Sequence, residues 1–475
     1  MTSRAGTAAM ASRDALRALI DRLLDAGDAY AALGAYRFAD APDRQALEAV
    51  ILATPRLGLI FAAAPYAPAG LLDRISIDAN AALRLRLAKN PATPPGALAR
   101  LLTGDAPARL RRYVAAHPGS DAAMLSALAG DPSVEVRRAV AGNPAAPGGV
   151  LARLVAEGDG LIDRNAARGR FAGTDLLQSL WDTGERHVRA EVAAHSNCPG
   201  AVLEAAEAMA DALIRRKLAS NPALGLRVLT RLLADDDERV RAAAVRNPAI
   251  SGEYLDDPEG EPSPRVRRIV ARRERLGPEV VARLTADPDG WVRRWIARNR
   301  AVPEHLLGRL AADPVMEVRR STARNPACPA LLLTVLAADP APWVRAGVAL
   351  REDAPDVAIS LLLEDEDPDV RGALGRNPRT PAPALEAIAR HPDKDVRRAV
   401  AFNRAAPAAV LALLAEDPYP LNRVILAGHA NLGLAHVERL LDDPEPQVRF
   451  AAAAHLAQLS APPHAAASGS KLARD

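Results

Sequence analysis

The residues with the greatest chemical reach in this chain of 475 are its arginines, and their spacing is regular. Arginine stands at 84, 111, 137, 164, 189, 215, 241, 267, 293, 319, 345, 371, 397, 423 and 449, with gaps of 27, 26, 27 and 25 and then 26 throughout. A guanidinium is a planar fork of donors suited to carboxylate or phosphate. A column of them therefore either meets an anionic ligand or satisfies buried carboxylates. An acid stands six residues before the arginine in eleven of the fifteen cases: Asp78, Asp105, Asp131, Asp235, Glu261, Asp287, Asp313, Asp339, Asp365, Asp417 and Asp443. That company favours a structural column in which Arg and acid pair within and between repeats. For Arg319 the expected partner is Asp313 or the equivalent acid of a neighbouring repeat. A ligand-facing role for some of the row stays open.

Other chemistry is sparse. The chain has no Gly-Lys-Ser/Thr phosphate loop, dinucleotide fingerprint, paired-cysteine zinc spacing or His-Glu-x-x-His. Four of the nine histidines (His117, His195, His429 and His455) share one slot of the repeat with Asn90, Asn143, Asn221 and Arg273. They read as members of a hydrogen-bonding column rather than as ligands or pH switches. Cys198 and Cys328 occupy one slot in two repeats 130 residues apart, too far for a disulfide along a stack. Two free thiols point to a reducing, cytoplasmic setting. No catalytic, cofactor-binding or metal-binding residue is assigned, and no cofactor or small-molecule substrate is expected.

The elements that hold these residues follow from the stretch Asp131-Pro132-Ser-Val-Glu-Val136-Arg137-Arg-Ala-Val140-Ala-Gly-Asn143-Pro144-Ala-Ala-Pro147. Asp131 suits a helix N-cap and Pro132 the first helical position. Val136, Ala139 and Val140 share one face of a short helix. Asn143-Pro144 stops it, because a residue before proline is pushed out of the helical region. Pro147 opens a second helix with Val150, Leu151, Leu154 and Val155 on its apolar side. Helices of roughly ten residues are marginal alone, so stability must come from stacking. A fixed period in this range is the signature of a solenoid.

The run VRRAVAGNPAAPGGVLARL resembles the variant leucine-rich repeat family, over about residues 50–459. The resemblance implies a right-handed superhelix in which one helix of each pair is partly 3-10. The acid six residues before an arginine is a more distant likeness to HEAT repeats. Some members of the variant family carry a cysteine-bound iron–sulfur cluster, and nothing here matches it. The expected fold is all-α: a right-handed superhelical α-solenoid of about seventeen 26-residue two-helix repeats. Composition agrees, with 49% hydrophobic but only 3% aromatic residues, so alanine and leucine must fill a closely stacked interior. The 39 prolines suit short helices.

Three regions are expected: an N-terminal capping helix at 1–30, the solenoid at 31–459 and a disordered tail at 460–475. The amphipathic stretch 12–24 mixes Asp with Arg and has no apolar core, which argues against a signal peptide. It is expected to cap the open end of the solenoid rather than bind a membrane. The uncharged run from Leu57 to Leu72 is sixteen residues with two prolines, too short and broken to span a bilayer. Two stretches are irregular. Between 157 and 187, Gly158-Asp-Gly160 replaces the cap. Residues 251–264 replace a second helix with an acidic, proline-rich loop.

The net charge is only +3, yet its distribution is uneven. Residues 239–324 hold 18 arginines against 12 acids, a net of +6, while the remainder carries −3. Arg246, Arg272, Arg298 and Arg324 fill the slot before the Asn143 position in four consecutive repeats. Arg268, Arg294 and Arg320 follow the ladder arginine. Stacking turns each set into a line, so these seven residues are the candidate partner-binding site. A non-catalytic protein-interaction scaffold is the favoured reading, docking an acidic protein surface at 246–324. Nucleic-acid binding is the alternative, weakened because only Trp291 and Trp295 are there to stack bases. An enzyme with a site hidden in an irregular repeat is the third reading.

Overall fold

The computed structural model describes residues 15–36, 38–39, 41–53, 55–63, 67–77, 79–251 and 261–460. The readings of 252–260 as an acidic loop and of 461–475 as a disordered tail lie outside the described residues. Among the described residues the regular structure is helical, with no strand. In the representative repeat the helices are Val134–Ala141 and Gly148–Val155. Both are α-helical; 3-10 geometry occurs at Leu440–Asp442. At eight residues each they are too short to persist alone. What fixes them is burial of Val136, Val140, Leu151 and Leu154, each fully enclosed between neighbours.

The helix starts are later than the spacing of Asp131 and Pro132 implies. Ser133 occupies the N-cap position, and Asp131 accepts the Ser133 N–H at 2.9 Å in a turn preceding the helix. The carboxylate is also held by the fork of Arg111 from the preceding repeat. Pro147 likewise caps its helix rather than opening it, with φ −63° and ψ 146°. In the irregular stretch the cap is retained. Asp159 accepts the Leu161 and Ile162 N–H groups, both at 3.0 Å, after Gly158 turns the chain at φ 71°.

The chain divides into two compact units, one formed by Gly58–Val302 and the other by Met1–Leu57 with Pro303–Asp475. In the first, the helices Arg186–Ala193, Ala212–Ala219 and Glu238–Arg246 pack in succession. In the second, Met316–Ala323, Pro342–Ala349, Pro368–Arg376 and Lys394–Ala401 do the same. The second unit also brings together segments far apart in sequence. A helix at 15–26 buries Leu16, Leu19, Ile20 and Leu23. The following helix, Ala29–Tyr36, packs against Pro446–Ser460. The approach is close enough that a side chain on Gly34 would collide with the backbone of Phe450 and Ala454. Asp28 accepts the N–H groups of Tyr30 and Ala31 at 3.0 and 3.2 Å and the Arg449 Nε–H at 2.5 Å.

Asparagine at position 28 keeps the cap but loses the charge. A hydrogen bond to a charged group is worth about 1.5–3 kcal/mol. Asp28→Asn should therefore speed amide hydrogen exchange in Pro446–Ser460 by roughly ten- to a hundred-fold. Unchanged exchange there would show that Arg449 needs no acceptor.

Candidate protein-interaction face

The in-register arginines turn inward, and most reach across to the next repeat. Arg319 donates from Nε and Nη2 to the Asp339 carboxylate at 2.7 and 3.0 Å. Its Nη1 donates to the backbone carbonyls of Asp313 and Pro314 at 2.8 and 3.3 Å. Asp313 of its own repeat thus supplies a carbonyl, and the neighbouring acid supplies the charge. Asp339 also accepts the Ala341 N–H at 2.8 Å. The same fork joins Arg111 to Asp131, Arg215 to Asp235, Arg397 to Asp417 and Arg423 to Asp443. Where no acid stands twenty residues on, Arg84 takes the carbonyls of Leu101 and Thr103, Arg189 that of Trp181 and Arg371 that of Asp365, while Arg164 reaches Glu191 at 3.4 Å.

A second column lies behind the first. Asn143 donates to the carbonyls of Ala115 and His117 in the preceding repeat, at 2.8 and 2.9 Å. His117 makes a 2.7 Å bond with the Asn90 carbonyl, His195 a 3.1 Å bond with Gly169 and His429 a 2.9 Å bond with Asn403. Arg273 donates to Ile250 in the same way. The histidines of this slot are therefore inter-repeat ties. Burial pushes the free thiols of Cys198 and Cys328 up to about 12 and about 11. Among the described residues no cluster of three or more His, Cys, Asp or Glu is disposed to hold a metal ion. No helix among them is long and apolar enough to cross a membrane.

The arginines singled out as a partner site lie on the first helices or in the turns that follow them, and they divide between the two compact units. In the Gly58–Val302 unit, Arg246, Arg272 and Arg298 are exposed, and Arg294 is half-buried. Arg272 lies 4.4 Å from the Trp295 ring centre and Arg294 4.7 Å from that of Trp291. No carboxylate pairs with Arg272, Arg294 or Arg298 among the described residues. Arg268 differs, because it pairs with Asp289 at 2.7 Å. The Gly290–Ile296 helix that carries both tryptophans is positioned by buried Val292 and Ile296 and by the Asp289 cap on Val292 N–H.

In the other unit Arg320 lies over Trp343 at 5.0 Å, and Arg324 is exposed. There Arg376 occupies the same slot as Arg324 and lies over Phe402 at 5.5 Å. Sequence reasoning passed over Arg376 and Trp343. The signal for Arg376 was its place directly before Asn377. Trp343 comes from the adjacent repeat, and only stacking brings it beside Arg320. The groove around these residues is lined by Arg320, Arg324 and Arg376 and by Asp369, Asp393 and Asp395, so its charge is balanced.

A family model agrees with the repeat architecture. The family model of the HEAT repeat matches residues 434–461. The chain is a helical repeat protein. Among solved structures it is similar to a leucine-rich repeat variant with a novel repetitive structural motif, at 27% identity over 52% of this chain and 88% of that one, TM-score 0.30. It is also similar to a chain from a complex in which Kap95p binds RanGDP, at 12% identity over 91% of this chain and 66% of that one, TM-score 0.27. A third is a computationally designed armadillo repeat protein for modular peptide recognition, at 14% identity over 60% of this chain and 98% of that one, TM-score 0.11. No curated protein matches the chain.

Two outcomes follow from the inward column. Arg319 and Asp339 retain 15% and 5% side-chain exposure, so Arg319→Ala leaves a buried carboxylate without its counter-charge. The loss should be about 3 kcal/mol, the lower end for one-sided removal from a buried pair, since Arg319 keeps some solvent. Arg404→Ala, which removes an ion pair exposed on both sides, should change the denaturant midpoint very little. Equal midpoints for the two variants would place Arg319 in solvent.

The column also sets the acid response. The Arg111 fork, against the desolvation that opposes it, holds the Asp131 carboxyl below its usual range. At Asp417 burial pushes upward, but Arg397, the Tyr419 N–H and Asn422 together overcome it. Carboxyls lowered in the folded state stabilise it fully above the unfolded value of about 3.9, and that contribution fades as pH falls through the lower folded value. Denaturant midpoints should therefore be flat from about pH 6 down to 5 as far as these groups are concerned, then drop below about pH 4. Asp131→Asn and Asp417→Asn together should flatten the acid limb.

Proposed function

We propose that this chain is a non-catalytic protein-interaction scaffold whose docking surface is the basic face at 246–324, and that its partner presents an acidic protein surface. The observation that supports the reading most directly is the contrast between two sets of arginines. Most ladder arginines are consumed by carboxylates of the next repeat, whereas Arg272, Arg294 and Arg298 have no carboxylate partner among the described residues. Exposed guanidiniums held beside indole rings lose little further freedom when they meet an anion, and arginine with tryptophan is the pairing enriched at interface hot spots. Arg246 extends the face and Arg268 contributes through Asp289 as a neutralised edge, while Arg320 and Arg324, in the other compact unit, complete the set.

Charge reversal of Arg272, Arg298 and Arg324 to glutamate tests this. Tagged parent protein should capture a partner from native lysate that the triple variant does not capture, with circular dichroism unchanged. Rim charges act mainly on association, so parental capture should weaken as salt rises. Undiminished capture by the triple variant would sink the docking site. Retention of the parent on DNA with a steep salt slope, in place of protein capture, would favour the nucleic-acid reading.

A further inference from the structure

One hollow in the Gly58–Val302 unit differs from two other basic grooves in having its arginines unpaired with any described carboxylate. It holds about 530 Å³ and is lined by Arg272, Arg275, Arg298 and Arg300, with Trp295 as a wall and Glu274 as the only acid of its lining among the described residues. All four arginines are exposed, and none has a carboxylate partner among the described residues. The comparable hollow at Arg216, Lys217, Arg239, Arg246 and Arg265 is partly neutralised, since Lys217 pairs with Glu191 and Arg265 with Glu238. That around Arg320 carries three aspartates of its own.

The four arginines also spring from a fixed backbone frame. They lie on two successive turns, and Asn299 ties those turns together by donating to the Ala271 and Arg273 carbonyls at 3.2 and 2.6 Å. Arg273 is drawn inward to Ile250, which turns Arg272 and Arg275 outward on either side of it. The Arg272 guanidinium sits 4.4 Å from the Trp295 ring centre, and that of Arg298 lies 6.0 Å away.

Resting on the docking face proposed above, we infer that this hollow receives a phosphate monoester carried on a side chain of the acidic partner. A carboxylate brings one charge and two oxygens, too little for four forks facing a single acid. A phosphate monoester brings a charge of about −1.5 to −2 and three strong acceptor oxygens, enough for two guanidinium forks at once. Flanking acids of the partner would meet the remaining arginines. A nucleic-acid strand fits less well: each diester carries a single charge, and the Trp295 face that a base would stack on is already taken by Arg272.

The test uses the full chain and a fluorescein-labelled peptide, Asp-Glu-Asp-phosphoSer-Asp-Glu, against the same peptide with plain serine, read by anisotropy. The phosphorylated peptide should bind at least tenfold more tightly, and Arg272→Gln with Arg298→Gln should reduce it to the level of the plain peptide without changing the melting temperature. Arg272→Lys should keep part of the preference. Equal affinity for the two peptides would overturn the phosphate assignment while leaving an acidic docking face intact. Binding of neither peptide would overturn the assignment too, with the docking face then judged by the lysate capture alone. Displacement by inorganic phosphate at the peptide's own concentration would mean a free-anion site, and displacement by a single-stranded oligodeoxynucleotide a nucleic-acid site; either result overturns it.

Discussion

A single aspartate per repeat carries three jobs at one place. Asp339 receives the fork of Arg319 from the repeat before, accepts the Ala341 N–H that starts its own helix, and offers its carbonyl to Arg345 at 2.9 Å. Each of these bonds fixes a different degree of freedom: spacing between repeats, the helix start, and the position of the next arginine. Helices of seven to nine residues cannot set their own register. The rung sets it for them. An insertion of one residue between Arg319 and Asp339 would turn the carboxylate away and leave two buried ionic groups without partners, a far larger loss than one displaced valine. That asymmetry explains why the arginine step holds at 26 through the second half of the chain while apolar side chains vary.

The asparagine column tolerates more, and the reason is geometric. Its task is to bring an N–H to one or two carbonyls of the preceding repeat. Asparagine does so at 143, histidine at 117 and 195, and arginine at 351, where the guanidinium reaches the Asn325 carbonyl and then Asp353 at 2.6 Å. A donor of suitable reach suffices, so residue identity drifts there. The rung needs a bidentate fork and a matching carboxylate, so it does not drift without switching to carbonyl acceptors, as at Arg84.

The architecture was legible because the rung repeats: the arginine period, the acid before it and the Asn-Pro punctuation all survive in a single sequence. What failed to show was which neighbour each group meets. Asp313 is six residues from Arg319 and Asp339 twenty, and spacing alone favours neither; the choice follows from how one repeat leans on the next. The late helix starts were hidden as well, since Asp131 closes a further turn on the Ser133 N–H before the helix begins. The candidate face was legible as a slot, Arg246 through Arg324, but not as a set of charges. That Arg268 spends its charge on Asp289 while Arg272 spends none appears only when neighbouring turns are placed side by side.

The N-terminal segment extends the same logic beyond the repeat. Twenty residues past Arg449 the sequence has Gly469, which offers no carboxylate. Asp28 takes that place, and it does so with both features of a ladder acid, capping its own helix while accepting the arginine of another. It has no arginine six residues on, where Gly34 stands instead, and the backbone of Pro446–Ser460 fills the space a side chain would need. The segment therefore receives a rung without passing one forward. A stack built on reciprocal rungs needs such a member wherever the pattern stops, because a ladder arginine left half-buried without an acceptor keeps the desolvation cost and loses the compensation.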